Sequence, residues 1–209
     1  KIRSINLMEQ FLLYLLNSNA ARISLGKMEN FFKTIGMKTS KKTLGEYLKY
    51  AGDVFFVFTV EIFSYKIKDR LQYPRKVYSI DTGLVNALVP SFSSNIGRLY
   101  ENVVFLHLKR MIGSNPSIGI YYWKDRQGRE VDFVITDGLN PRELIQVSYD
   151  VSSPKTLERE RRGLLKAMEE FNLDEGIIIT DHYSGEVEEG GKRIKFIPLY
   201  RWLLEAVGP

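Results

Sequence analysis

Glu130-Val131-Asp132-Phe133-Val134-Ile135, followed a short loop later by Leu144-Ile145-Gln146-Val147-Ser148, is the stretch whose reading decides the fold. Both runs are dense in β-branched and aromatic side chains, which predicts adjacent strands over residues 129–136 and 143–149. Side chains two apart on a strand share a face, so Glu130 and Asp132 point together, as do Gln146 and Ser148. A carboxylate on one strand is thereby brought beside an amide and a hydroxyl on the next.

Outward from this pair, residues 119–124 read as a third strand, joined through the turn Asp125-Arg126-Gln127-Gly128. An apolar-faced helix over 97–111 precedes the strands and a charged helix over 155–171 follows them. An apolar strand at 176–180, a turn at Gly190-Gly191, a strand at 193–197 and a helix through Glu205 complete the chain. Helix, antiparallel strands, helix and a buried strand predict an α/β (α+β) sandwich with a mixed sheet. Pro90-Ser91-Phe92-Ser93-Ser94-Asn95 is the most linker-like stretch and divides the chain into domains at 1–90 and 91–209.

The N-terminal part has a different grammar. Leu7, Phe11, Leu12, Leu15 and Leu16 recur at helical spacing over 5–17. Ser24 is placed to cap a second helix running to residue 34, and Ser40 a third whose first turn is Lys41, Lys42 and Thr43. Strands at 54–60 and 62–67, a basic loop with Lys66, Lys68, Arg70, Arg75 and Lys76, and a strand at 77–80 complete a winged helix. Phe55, Phe56, Phe58 and Phe63 are expected in its core. A recognition helix enters the major groove by its N-terminal end, so Lys41, Lys42 and Thr43, with Lys68, Arg70 and Arg75 from the wing, are the expected DNA contacts. A helical module that docks another protein stays open as the alternative.

Charge agrees with a polyanionic partner. Of the net +5, residues 1–95 carry 14 Lys and Arg against 7 Asp and Glu, a net +7, and the rest 16 against 18, a net −2. A solvated surface rich in Lys and Glu is the bland reading of the same numbers. Hydrophobic residues make up 44% and aromatics 12%, enough for a substantial core. No apolar run is long enough to cross a bilayer and no secretory signal is visible, so a cytoplasmic setting without membrane contact is expected. With no cysteine and two histidines, a metal would be held by oxygen, which favours magnesium, manganese or calcium.

Phosphodiester hydrolysis needs such a cation to activate water and neutralise developing charge. Glu101 from the long helix, Asp132 and the amide oxygen of Gln146 are the candidate catalytic set, with Glu101 and Asp132 the candidate metal ligands and the Val147 carbonyl a further donor. Ser148 carries no charge and cannot stabilise phosphoryl oxygens. Lys155, Arg159 or Arg162 are the cations that can replace it, although a run such as Glu158-Arg159-Glu160-Arg161-Arg162 usually marks a solvated helix face.

In TSKKTLGEYLKYAGDVFFVFTVEIFSYK (39–66), KVYSIDTGL (76–84), GRLYENVVFLHLKR (97–110), YYWKDRQGREVDFVI (121–135) and ELIQVSYD (143–150), the chain resembles the C-terminal region of a family of prokaryotic, mainly archaeal, AAA+-like ATPases. In that family a winged helix is followed by a PD-(D/E)XK nuclease-like domain. The resemblance implies a restriction-endonuclease-like fold whose site comprises Glu101 and Asp132, with Gln146 at the second acid position and Ser148 at the usual lysine position. It also implies an ATPase module on the same or a separate chain, because no G-x-x-x-x-G-K-[ST] loop occurs in the 209 residues. The expected function is a DNA-binding module with an inactive nuclease-like domain. A magnesium-dependent DNA endonuclease and a protein-interaction adaptor are the alternatives.

Overall fold

The computed structural model describes residues 4–89, 96–113 and 115–205; the linker-like stretch 90–95 lies outside them. In chain order the elements are α1 (Ile5–Asn17), β1 (Arg22–Ile23), α2 (Leu25–Thr34), α3 (Lys41–Asp53), β2 (Val57–Val60), α4 (Ile67–Gln72), β3 (Arg75–Ser79), α5 (Thr82–Leu88) and α6 (Ile96–Ile112). After these come β4 (Ile118–Lys124), β5 (Glu130–Asp137), β6 (Asn140–Val147), α7 (Pro154–Phe171), β7 (Glu175–Thr180), β8 (Gly185–Glu189), β9 (Lys192–Pro198) and α8 (Leu199–Glu205). The fold is mixed α/β in two compact units. One takes residues through Glu61 with those of 72–102, the other 62–71 with those from Val103 onward.

In the first unit the expected caps form: Ser24 accepts from the Lys27 N–H and Ser40 from the Thr43 N–H, each satisfying an amide that the helix cannot. Phe11 and Leu15 of α1, Met28 and Phe32 of α2, and Leu44 and Tyr47 of α3 bury one face each in a common core. An antiparallel sheet in the order β1-β3-β2 closes it. Two-residue β1 and the Asp81-capped α5 were not foreseen; both are too short to leave a periodic signature.

Residues 62–71 correct the expectation of a wing. Instead of a strand and a basic loop they form an isolated bridge, Ile62 with Tyr122, followed by α4. Phe63 drives this: its ring packs edge-on against Tyr121 and Phe171, taking the segment into the core of the second unit. Phe55 is a second correction. It adopts a positive φ of 58° at the end of α3 and is 64% exposed, not core.

The second unit is built on a six-stranded mixed sheet, ordered β4-β5-β6-β7-β9-β8. Neighbours β4, β5 and β6 run antiparallel, β6, β7 and β9 parallel, and β8 returns antiparallel to β9. β7 is fed by α7, whose buried residues Glu160, Gly163, Leu164, Ala167, Met168 and Phe171 recur at helical spacing on one face. At Gly163 the helix approaches β5 so closely that a Cβ would lie 2.9 Å from the Glu130 carbonyl oxygen. Gly163→Ala gains about 1 kcal/mol of helix propensity but forces backbone apart, an overpacking that costs about 1–3 kcal/mol or more. A lower urea midpoint with an unchanged m-value is the expected result.

Candidate functional site

The β5–β6 ladder is regular from Asp137↔Asn140 to Phe133↔Ile145, with one register shift. One position beyond that last pair, side chains take over the bonding. The Asp132 N–H donates to Gln146 Oε1 at 3.0 Å, and the Val147 N–H donates to Asp132 Oδ2 at 2.9 Å. Asp132 and Gln146 are each 6% exposed, so these buried amides are satisfied by side chains in place of carbonyls. The structure thus brings these two predicted site residues together.

A third member comes from α7. Gln146 Nε2 donates to Glu160 Oε2 at 2.7 Å, and Arg159 Nε donates to Glu160 Oε1 at 3.0 Å. The Asp132 backbone N–H can only donate, and this sets the amide with Gln146 Oε1 toward it and Nε2 toward Glu160. Burial raises the Glu160 pKa above the ordinary carboxylate range; the Arg159 bond opposes this and the Asp132 charge adds to it. Glu160 lay hidden in a charge run that reads as a solvated face. Its position three and four residues before Gly163 and Leu164, on the apolar stripe of α7, was the available signal.

Asp132, Gln146, Arg159 and Glu160 line a cleft of about 410 Å³ together with Gln127 and Arg129 from the turn before β5. As arranged, these groups do not fit a divalent cation. Gln146 Oε1, Asp132 Oδ2 and both Glu160 oxygens already accept from protein donors. Among the described residues no group of three or more His, Cys, Asp or Glu side chains is placed to hold a metal ion. Ser148, at the lysine position, is 7% exposed; its N–H donates to the Ile179 carbonyl and its hydroxyl reaches the Asp150 carbonyl at 3.5 Å.

Glu101 belongs to the first unit. Its Oε1 accepts from Lys76 Nζ at 2.9 Å and from the Tyr78 hydroxyl at 2.7 Å. Lys76, expected in a basic loop, is 2% exposed and serves as this buried counter-ion. Next to it, Asn19 and Asn102 both accept from the Ser79 N–H. Among the expected DNA contacts, Lys41 and Lys42 are exposed in the first turn of α3, with Thr43 half-buried and bonded to Ser40. Arg75 pairs with Glu61 at 2.9 Å, whereas Lys68 and Arg70 ride on α4 in the second unit.

The six-stranded sheet and its buried acid–amide cluster define a mixed α/β unit. Residues 96–202 match the family described as a domain of unknown function, DUF4143, and the chain belongs to that family. Residues 1–95 match a second domain of unknown function, DUF8612. Over 196 residues the chain is 36% identical to uncharacterized protein MJ1544 of Methanocaldococcus jannaschii, covering 91% of this chain but 42% of that relative's length. A chain in a refined half-complex from the tetradecameric assembly of Thermococcus gammatolerans McrB AAA+ hexamers with bound McrC is 14% identical, with a TM-score of 0.39. The match covers 94% of this chain and 52% of that one, a likeness too weak to bear on fold or function.

Proposed function

We propose that the chain is a DNA-binding module, a helix-turn-helix unit followed by a PD-(D/E)XK-like domain that no longer cuts, acting as the recognition end of an ATPase-bearing assembly. The observation that carries the binding half is the exposed pair Lys41 and Lys42 in the first turn of Ser40-capped α3. Amide N–H groups and two ammonium groups at one helix end suit a phosphate backbone. Support for the inactive half comes from Asp132 Oδ2, Gln146 Oε1 and both Glu160 oxygens, which already accept from backbone amides, the Gln146 amide and Arg159, and from neutral Ser148. The ATPase connection rests on the motif resemblance.

Lys41→Glu combined with Lys42→Glu tests the binding half. Each phosphate left without its cation takes about 0.9 off the slope of log affinity against log salt, so the slope for duplex DNA should fall by nearly two. An unchanged slope, or no retardation of wild type even at low salt, overturns the reading. Strands recovered intact from the same mixtures with magnesium or manganese are expected.

A further inference from the structure

Beside the acid–amide cleft lies a second one of about 520 Å³, lined by Gln127 and Arg129 before β5 and by Lys155, Thr156, Glu158, Arg159 and Arg162 of α7. Four cations line it; Asp125 holds Arg129 at 2.6 Å and Glu160 holds Arg159, and Glu158 is the one carboxylate in the lining itself. Glu158 is weakly engaged, lying 3.8 Å from Arg162 on the exposed helix surface. Gln127, Arg129 and Arg159 line both clefts, so the two are neighbours, the first carrying Asp132 and Glu160 and the second mostly cations.

Lys155, Arg159 and Arg162 stand at i, i+4 and i+7 and therefore share one face of α7. At 1.5 Å per residue they span about 10 Å, a row longer than a single phosphate group. A lone small anion needs no such length. The helix end adds to the field: Ser153 makes no side-chain cap bond, whereas Ser4, Ser24, Ser40 and Asp81 each cap their own helices. The partial positive charge of the α7 N-terminus is therefore left for an entering anion.

We infer that the cationic end of this cleft is a metal-independent seat for the phosphodiester backbone of a nucleic-acid strand, held by Arg129, Lys155, Arg159 and Arg162. The choice of nucleic acid among polyanions rests on the DNA-binding reading above; the seat itself does not use α3. The guanidinium groups supply the positive charge that a divalent ion supplies in a cutting site.

The test is fluorescence anisotropy of a labelled thymidine oligonucleotide with the full chain, over a range of salt and in EDTA. Lys155→Ala with Arg162→Ala is the informative variant, because Arg159 also holds Glu160 and is left in place. Freeing two phosphates of a single strand should lower the slope by about 1.4 and weaken binding about tenfold or more at low salt. Lys41→Glu with Lys42→Glu should weaken duplex binding. A slope unchanged in the α7 variant, with its melting curve preserved, overturns the seat even if the α3 variant weakens duplex binding. Binding that disappears in EDTA also overturns it. Oligonucleotide binding that fails only in the α7 variant, with duplex binding indifferent to α3, leaves the seat standing and removes the recognition helix.

Discussion

Glu101→Ala will destabilise the first unit by about 3–5 kcal/mol, the ordinary penalty for stripping one partner from a buried ion pair. The Lys76 side chain is 3% exposed and the Glu101 side chain 12%, so the ammonium left behind has little access to water. Tyr78 loses its acceptor in the same step. Roughly 2–4 °C of melting temperature per kcal/mol, for a chain of this size, puts the shift at about 6–20 °C. Glu101→Gln keeps an acceptor for Tyr78 but still strands the charge, so it should recover only part of the stability. Lys76→Met combined with Glu101→Leu should recover most of it, because apolar replacements of similar volume remove both desolvation penalties together. If Glu101→Ala melts like wild type, the carboxylate is not a structural partner of Lys76.

Glu101 shows where the sequence stopped being informative. Its helix was legible from the apolar spacing of Leu99, Val103, Phe105, Leu106 and Leu108, and α6 spans the expected residues. The partner of Glu101 was not legible, because Lys76 lies 25 positions earlier and reads locally as one more surface cation in a basic run. The Ser24 and Ser40 caps, by contrast, depend on residues three apart and were legible at once. Residues 62–71 failed for the opposite reason: the local reading was a strand and a basic loop, but one long-range anchor, Phe63 against Tyr121 and Phe171, decides the path. At the site, strand alternation placed Asp132 and Gln146 as neighbours, whereas Glu160 had to be read through a helix period across a dense charge run.

Gln146→Glu will make folding stability fall as pH rises. The Gln146 amide nitrogen lies 2.7 Å from Glu160 Oε2 as a donor; a carboxylate oxygen in its place meets another carboxylate. Two such groups, adjacent and nearly buried, cannot both ionise, so the pair retains a proton. Burial already raises the Glu160 pKa, and the Asp132 charge pushes the same way. The folded-state pKa of the pair therefore lies above the unfolded value of about 4.3. Stability is fully present below that value and is lost as pH rises through the folded-state pKa, since there the folded chain binds the extra proton. Once both groups are forced to ionise, the destabilisation should reach about 3–5 kcal/mol. Urea midpoints between about pH 5 and 9 measure it, and the wild type should show the same trend more weakly through Glu160 alone. Gln146→Glu with Glu160→Gln exchanges donor and acceptor across the same hydrogen bond: residue 146 still accepts from the Asp132 N–H, and residue 160 now donates. That double variant should return to a shallow pH dependence. A single variant as insensitive to pH as wild type would mean that the 146 side chain does not face Glu160. The carboxylate that the motif resemblance leads one to expect at position 146 is thus disfavoured by Glu160 of α7, a residue outside that motif, and not by anything on β6 itself.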